Sequence, residues 1–216
     1  MRELILTFHG LGNTPSALTS DEQHVWVPVE WFEAILDALP PTVGRVTFDD
    51  GNVSDVEHAL PILARDGRVA SFFVPAANVG KPHSMTEQDL VRLHGEGMVV
   101  GSHGLRHRDW RTATEDELHE ELVGARDVLA EKLGAPVEEA ACPFGSYDRR
   151  VLRAARSVGY RRIYTSDGGA SSTRAWLAPR TTIHRGWSLE RWLEFVASGP
   201  STDLFRSAKR LGKRIR

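Results

Sequence analysis

The stretch Thr47-Phe48-Asp49-Asp50-Gly51 ends a short apolar run, Arg45–Phe48, with two adjacent carboxylates and a glycine. The run has the length and residue types of a buried β-strand, and Gly51 allows the chain to turn directly after it. A run with helical periodicity, Val56–Arg65, follows. The stretch therefore predicts a strand, a loop and a helix in succession, with both carboxylates at the carboxyl end of the strand.

The same alternation of strand and helix extends along the chain. Further strands are predicted at Glu3–Phe8, Val69–Val74, Met98–Val100, Val137–Ala141 and Arg161–Thr165. Further helices are predicted at Glu30–Leu39, Thr114–Leu133, Arg149–Val158 and Leu189–Ala197. Capping-box spacing occurs at Ser54 with Glu57, Thr86 with Asp89, and Thr114 with Glu117. About six or seven βα repeats are expected, which is typical of a mainly parallel sheet or barrel with its chemistry in the loops after the strands.

Length and composition predict one domain with a basic tail. The chain has 216 residues, of which 41% are hydrophobic, and a net charge of −2, which gives no reason to expect a nucleic-acid partner. Residues 1–205 are expected to form this domain, and the tail 206–216 is either a solvated end or a contact for an anionic membrane or a phosphate-bearing substrate. Cys142 is the only cysteine, so no intrachain disulfide is possible. With no signal peptide or membrane span recognisable, a cytoplasmic location is expected.

Two histidines at metal-ligand spacing follow another predicted strand. His103-Gly-Leu-Arg-His107 comes directly after Met98–Val100 and places two imidazoles on the same side of one helical turn. Taken singly, such a pair also occurs by chance on surfaces, and Asp-Asp-Gly is equally typical of a solvated turn. Together they offer two neutral nitrogens and one carboxylate with open positions, which suits zinc or another divalent first-row metal acting on water.

These segments resemble the first two motifs of the polysaccharide deacetylases, the NodB-homology family of carbohydrate esterases (family four). The resemblance continues in His58-Ala-Leu-Pro-Ile-Leu, Val69-Ala-Ser-Phe-Phe-Val and Ala141-Cys-Pro-Phe-Gly145, and so covers essentially the whole chain. It implies an α/β fold, an irregular (β/α)7-type barrel whose active site opens at the carboxyl ends of the strands.

The resemblance also implies roles for individual residues. Asp49 is expected to be the general base, and Asp50, His103 and His107 are expected to bind the metal, Zn²⁺ in the first place and Co²⁺, Ni²⁺, Mn²⁺ or Fe²⁺ as alternatives. The metal would polarise an acetyl carbonyl while Asp49 takes a proton from the attacking water. The oxyanion is expected to bind a backbone N–H, with that of Tyr147 as the family-based choice. The segment that forms this side of the substrate site comprises Pro143, Phe144, Gly145 and Tyr147.

The chain departs from the family pattern at two positions. Gly104 stands where the second motif usually has Ser or Thr, so a hydrogen bond between loops is expected to be missing. Ala141 stands where the third motif often has an arginine that orients the base, although one branch of the family has the Ala-x-Pro-Phe/Tyr-Gly form. Arg180, placed in the substrate site, is a candidate replacement cation, and a surface or helix-contact arginine is the alternative.

Two histidines outside the metal motif are assigned to the site. Thr181-Thr-Ile-His184 keeps the histidine of the family's Leu-x-x-His motif but not its leucine, and His184 is the expected general acid for the leaving amine. A packed or exposed histidine is the alternative reading of His184. His9 follows the first strand and is expected to line the site without binding the metal.

The expected function is hydrolysis of an N-acetyl group on an amino sugar, in a glycan or in a nucleotide- or lipid-linked intermediate that the basic tail would suit. Trp110 and Trp187 are expected to stack on the sugar ring. One alternative is hydrolysis of a non-sugar C–N bond, in a small amide or ureide, and Trp110 and Trp187 lining the cleft would favour the sugar. The other is a catalytically silent carbohydrate-binding relative, against which the intact Asp49, Asp50 and two histidines argue.

Overall fold

The computed structural model describes residues 1–15, 18–42 and 44–199, so the basic run at 206–216 lies outside the described residues. All six predicted strands are present, with bounds within two residues of those expected from the sequence. They are β1 Arg2–Phe8, β2 Gly44–Phe48, β3 Ala70–Val74, β4 Val99–Ser102, β5 Glu139–Ala141 and β6 Arg162–Thr165. Three shorter strands follow, which are β7 Ala170–Ser172, β8 Leu177–Pro179 and β9 Thr181–Thr182. Two or three residues carry too little periodicity for the sequence to predict such strands.

The strands form one sheet that almost closes into a barrel. Its order is β7-β1-β2-β3-β4-β5-β6-β8, with β9 pairing with β1. Strands β1 to β6 and β8 pair in parallel, and only β7 runs antiparallel, against β1. β8 pairs with β6, and β9 pairs in parallel with β1. Because Arg180 alone separates β8 from β9, the chain passes at this residue from one end of the sheet to the other. The fold is therefore the (β/α)7-type barrel that the resemblance to the family implied.

The helices pack around the outside of the sheet. They are α1 Ser20–Val25, α2 Val29–Ala38, α3 Leu60–Arg65, α4 Glu87–Gly95, α5 Glu115–His119, α6 Ala125–Leu133, α7 Arg149–Val158 and α8 Leu189–Ala197. A π-helical turn, Asp55–Ala59, leads into α3, and another, Glu120–Gly124, joins α5 to α6. The predicted helix 114–133 is therefore continuous but contains one wider turn. None of the helices in the described part of the chain has both the length and the apolar composition that a bilayer crossing requires.

Two of the three predicted capping boxes are present. Thr86 and Thr114 each cap their helix with reciprocal hydrogen bonds to Asp89 and Glu117. The prediction for Ser54 is wrong, because Ser54 already has helical backbone angles and makes no capping bond. Its hydroxyl instead accepts the N–H of Leu11 at 3.3 Å. A tertiary contact has replaced the local cap.

The two faces of the sheet bury different side chains. In β1, Leu4, Leu6 and Phe8 face the helices, whereas Ile5 points into the barrel, as the two-residue period of a strand requires. The barrel interior is small and mixed, with Phe73, Ala141, Tyr164 and Ala178 beside Ile5. Above this layer, towards the carboxyl ends of the strands, the interior becomes polar. The functional side chains stand at that end.

Candidate active site

A cleft of about 440 Å³ opens at the carboxyl ends of the parallel strands. It is lined by His9, Leu18, Asp21, Glu22, Val25, Trp26, Asp49, Asp50, Asn52, Pro75, Asn78, Ser84, His103, His107, Phe144 and Ser166. His9 follows β1, the two aspartates follow β2, and His103 follows β4. Residues far apart in sequence meet here because the carboxyl ends of parallel strands lie at one end of a barrel.

Three side chains converge on one point at the floor of the cleft. Asp50 Oδ1 lies 3.3 Å from His107 Nε2 and 3.6 Å from His103 Nε2. The ligand atoms of the three residues all lie within 4.8 Å of one another. His103 Nδ1 donates to the backbone oxygen of Ala141 at 2.9 Å, which leaves the Nε2 lone pair directed at the cluster. This donor set fits a divalent metal with positions left open for other ligands.

The backbone is strained where these side chains leave it. Asp50, His107 and Phe144 have φ values of 70°, 56° and 57°, in the left-handed region that side chains other than glycine rarely adopt. Such conformations cost roughly 1–3 kcal/mol each and persist only where the surrounding structure enforces them. Their concentration around one cleft is typical of a functional site.

Asp49 is held by a buried arginine. Its two carboxylate oxygens accept hydrogen bonds from Nη1 and Nη2 of Arg180, both at 2.7 Å. Asp49 is 2% exposed and Arg180 is 0% exposed. Burial by itself would raise the pKa of Asp49, but the charges of Arg180 and His103 and the hydrogen bonds from Arg180 outweigh it and hold the pKa well below its usual range. Asp49 is thus a carboxylate at neutral pH.

Arg180 reaches Asp49 from the link between β8 and β9 and also donates to Thr47 Oγ1 at 3.1 Å. The alternative of a surface arginine is therefore wrong. Its placement among substrate-binding residues is also corrected, because a fully buried guanidinium whose donors point at Asp49 and Thr47 does not line the cleft. The interpretation that fits is the one in which Arg180 replaces the cation expected at Ala141.

The protonation of the donor cluster differs from that of Asp49. Burial raises the pKa of Asp50 to about 6 and lowers that of His103 to about 3, and it also lowers the pKa of His107. The imidazoles are therefore neutral and have free lone pairs. A cation placed among the three would favour the ionised form of Asp50, since it would offset the cost of burying that charge.

The other predicted substrate-site residues are divided between the cleft and the protein interior. His9 lines the cleft, with Nε2 3.8 Å from Asp49 Oδ2. Phe144 also lines it, is 69% exposed, and packs on the ring of His107 with centroids 4.6 Å apart. Pro143 and Gly145 are buried on either side of Phe144. Tyr147 is buried, and its hydroxyl donates to the Asp167 carboxylate at 2.7 Å.

Trp110, Trp187 and His184 also do not line the cleft. Trp110 is 0% exposed and packs in a core cluster with the helices, so its predicted stacking on a sugar is wrong. Trp187 packs on Trp192, with centroids 4.4 Å apart. His184 stacks on His24 at 5.1 Å, and its Nδ1 accepts the N–H of Gly186 at 3.0 Å. The predicted general acid is thus occupied by contacts outside the cleft, which removes the geometric support for that role.

One wall of the cleft was missed in the sequence. Helix α1 carries Asp21, Glu22 and Val25 onto the cleft, and none of its residues is buried. Thr19 caps it with a complete capping box to Glu22. The spacing Thr19-x-x-Glu22 was the signal that could have revealed this helix. Hydrophobic periodicity did not reveal helix α1, because the helix has no apolar stripe.

Comparisons with known proteins identify the family of the chain. A sequence model of the family described as polysaccharide deacetylase matches residues 36–163, more than half of the chain. A chitin deacetylase from Pestalotiopsis sp is 27% identical over 153 residues, 71% of this chain and 50% of that protein. A peptidoglycan-N-acetylglucosamine deacetylase from Bacillus cereus is 24% identical over 154 residues, 69% of this chain and 54% of that protein. The chain spans about half the length of these curated relatives.

Solved structures share the whole fold. The Streptococcus pyogenes deacetylase PplD, in complex with acetate, superposes with a TM-score of 0.78 at 22% identity, over 90% of this chain and 97% of that one. The polysaccharide deacetylase BC0361 from Bacillus cereus superposes with a TM-score of 0.77 at 20% identity, over 91% of this chain and 69% of that one. At these identities the superpositions establish the fold alone. Membership of the family is established by the match to the family's sequence model. The chain belongs to the polysaccharide deacetylase family.

Proposed function

We propose that the protein is a metal-dependent hydrolase that removes the N-acetyl group from an amino sugar. The observation that carries this proposal is the arrangement at the cleft floor: the Asp49 carboxylate lies 3.8 Å from His103 Nε2, beside the donor set of Asp50, His103 and His107. A binding protein needs no ionised base next to the metal ligands. The deacetylases named among the relatives support the choice of an acetyl group.

The donor set of two imidazoles and one carboxylate suits Zn²⁺, and Co²⁺, Ni²⁺, Mn²⁺ and Fe²⁺ remain alternatives. A divalent ion held by Asp50, His103 and His107 would polarise the acetyl carbonyl and lower the pKa of a water molecule. The backbone oxygen of Ala141 orients one of these donors, because it accepts the hydrogen of His103 Nδ1 and so fixes the tautomer of that ring.

Asp49 is the proposed base. Its lowered pKa keeps it ionised, and the two hydrogen bonds from Arg180 fix its orientation towards the cleft. It would accept a proton from the attacking water and return that proton to the leaving amine, since one group can act first as base and then as acid. This assignment needs no contribution from His184. The N–H of Tyr147 stays the proposed oxyanion donor, on a residue anchored by Asp167.

The charge of the cleft bears on the choice of substrate. Four of its lining residues are acidic, namely Asp21, Glu22, Asp49 and Asp50, and none of the described lining residues is a lysine or arginine. A divalent cation would offset only part of this negative charge. Like charges repel, so the cleft favours an uncharged glycan over the nucleotide-linked sugar expected from the sequence.

Hydrolysis of a non-sugar C–N bond stays the alternative, since neither tryptophan that would have favoured sugar lines the cleft. Among the described residues that line the cleft, Trp26 is buried and Phe144 is an exposed aromatic side chain. We expect Phe144→Ala to raise KM for an N-acetylglucosamine oligomer about fivefold and to change kcat little, because stacking is worth about 1 kcal/mol. Phe144→Tyr keeps the ring and is the matched control. An unchanged KM in Phe144→Ala would contradict a sugar platform at this position.

The proposed function is tested by acetate release from a panel of N-acetylated sugars, glycans and small amides. We expect release with metal-loaded protein and none after chelation, with activity restored when Zn²⁺ or Co²⁺ is added back. Asp50→Ala should bind metal at least 10-fold more weakly and release no acetate at metal concentrations that saturate the wild type. Release that persists after chelation would contradict metal dependence, and release only from small amides would support the alternative.

A further inference from the structure

The loop between the two histidines is held by a buried carboxylate. Glu121 is 1% exposed and lies in the π-helical turn that joins α5 to α6. One of its oxygens accepts the N–H of Leu105 and the other accepts the N–H of Arg106, each at 2.9 Å. Both carboxylate oxygens are thus bonded to the backbone of the segment that leads from His103 to His107.

Gly104 leaves the space that this carboxylate occupies. A Cβ atom at position 104 would lie 2.3 Å from Oε2 of Glu121, far inside van der Waals contact, and φ of Gly104 is +79°. A side chain and the Glu121 carboxylate therefore cannot both be present in this arrangement. The hydrogen bond expected to be missing at Gly104 is replaced by the two bonds that Glu121 accepts from the loop, so the support comes from a helical turn instead of a neighbouring loop.

The other side of the same loop is held by backbone groups. The oxygen of Gly104 accepts the N–H of Ala76, at 2.9 Å, and the oxygen of Leu105 accepts the N–H of Ala77, at 2.8 Å. Carbonyls bond on one side and N–H groups on the other, so the peptide planes before His107 are fixed in orientation. The strained φ of His107 needs such support.

Burial of Glu121 is not explained by packing or ion pairing. In the ranges 1–15, 18–42 and 44–199, no lysine, arginine or histidine lies within ion-pair distance of its carboxylate. The guanidinium of Arg106 bonds instead to the exposed neighbour, Glu120, at 2.9 Å. A buried carboxylate is costly, and an apolar residue would serve better if the position only filled space. Its two bonds to the loop are the interaction that repays this cost.

We infer that Glu121 is a positioning residue: it fixes the backbone at Leu105 and Arg106 so that His107 faces Asp50 and His103. The expected effect of Glu121 on metal affinity rests on the proposed function, because it requires that Asp50, His103 and His107 bind a metal. The conformational part, that Glu121 orders this loop, stands on the hydrogen bonds alone. Gly104 and Glu121 depend on each other, because the carboxylate occupies the space that a side chain at position 104 would fill.

Glu121→Gln tests the inference with little change of volume. The amide has one acceptor oxygen, and its NH₂ group would face the second backbone donor, so one N–H loses its partner. We expect the amides of Leu105 and Arg106 to exchange hydrogen at least 10-fold faster. We expect the Kd for Zn²⁺ or Co²⁺, measured by calorimetry, to rise 10- to 100-fold, the usual effect of losing a residue that orients a metal ligand. Glu120→Gln is the matched control and should leave both quantities within twofold.

Gly104→Ala gives a second, independent route to the same outcome. Its methyl group would displace the Glu121 carboxylate, so metal affinity should fall, and adding Glu121→Gln should weaken it little further, since the two changes break one contact. Equal metal affinity and equal exchange in wild type and folded Glu121→Gln would overturn the inference. If the wild type binds no ion, the proposed function fails, and the exchange rates of Leu105 and Arg106 still decide whether Glu121 orders the loop.

Discussion

Asp49→Asn is expected to lower the rate of acetate release by about 10²- to 10⁴-fold, the contribution typical of a general base. Asparagine has nearly the same shape but accepts no proton. The metal ligands Asp50, His103 and His107 are unchanged, so the Kd for Zn²⁺ should stay within about fivefold of the wild type. Rates measured at saturating metal and substrate, with metal affinity determined separately, distinguish a lost base from a lost ion.

The matched control for this prediction is Asp55→Asn, six residues along the same loop and helix. Asp55 is also fully buried, but it does not line the cleft, and burial holds its pKa well above the usual range. Because Asp55 does not line the cleft, the same substitution should leave kcat within about threefold. Retention of more than a tenth of wild-type kcat by Asp49→Asn would contradict its role as base.

Arg180→Met is expected to destabilise the metal-free protein by about 3–5 kcal/mol at neutral pH, the usual result of removing one partner from a buried ion pair. Asp49 would remain buried without the guanidinium that bonds both of its oxygens. The free energy of unfolding in urea measures this loss. The double variant Arg180→Met, Asp49→Asn should recover part of it, because no uncompensated charge stays buried.

The pH dependence of the same variant has a defined sign. In the wild type the pKa of Asp49 is lowered, so the stability it contributes is complete above the unfolded value of about 4 and is lost as pH falls through the folded value. Without Arg180, burial raises the pKa of Asp49 above the unfolded value, and the penalty then grows as pH rises. The difference between wild type and Arg180→Met should therefore shrink on acidification, and the acid limb of kcat/KM should move to higher pH. If the difference in free energy of unfolding between wild type and Arg180→Met stayed constant or grew on acidification, the ionised Asp49 would not be the cause of the destabilisation.

The corrections for Trp110 and Trp187 share one cause. Trp110 and Trp187 were placed by their proximity in sequence to His107 and His184, but an aromatic side chain near a ligand packs wherever it buries most surface. Trp110 buries its surface in the core. Phe144 is directed outward by a left-handed backbone and is 69% exposed on the cleft. Position in sequence does not reveal the direction of a side chain in a loop.

The position of Glu121 in the sequence indicates that its side chain makes a buried contact. It lies three residues after Leu118 and four before Ala125, on the apolar stripe of the predicted helix. A charged residue on a buried face needs partners, and this alone marks it as a candidate for a structural or functional contact. Which groups it contacts, the amides of Leu105 and Arg106, depended on how the helix lies against the loop.

The sequence by itself determined the six main strands and the place of Asp49, Asp50, His103 and His107 after two of them, because periodicity and motif spacing are local properties. The barrel followed from the resemblance to the family. The tertiary structure alone decided that Arg180 pairs with Asp49, that Glu121 holds the histidine loop, and that helix α1 walls the cleft with acidic side chains. Glu121 and Leu105 are 16 positions apart, and their contact depends on how the helix lies against the loop. Arg180 and Asp49 are 131 positions apart, and their contact depends on the closure of the sheet between β8 and β1. Local sequence carries no record of that closure, since pairing at a distance is set by the packing of the whole chain.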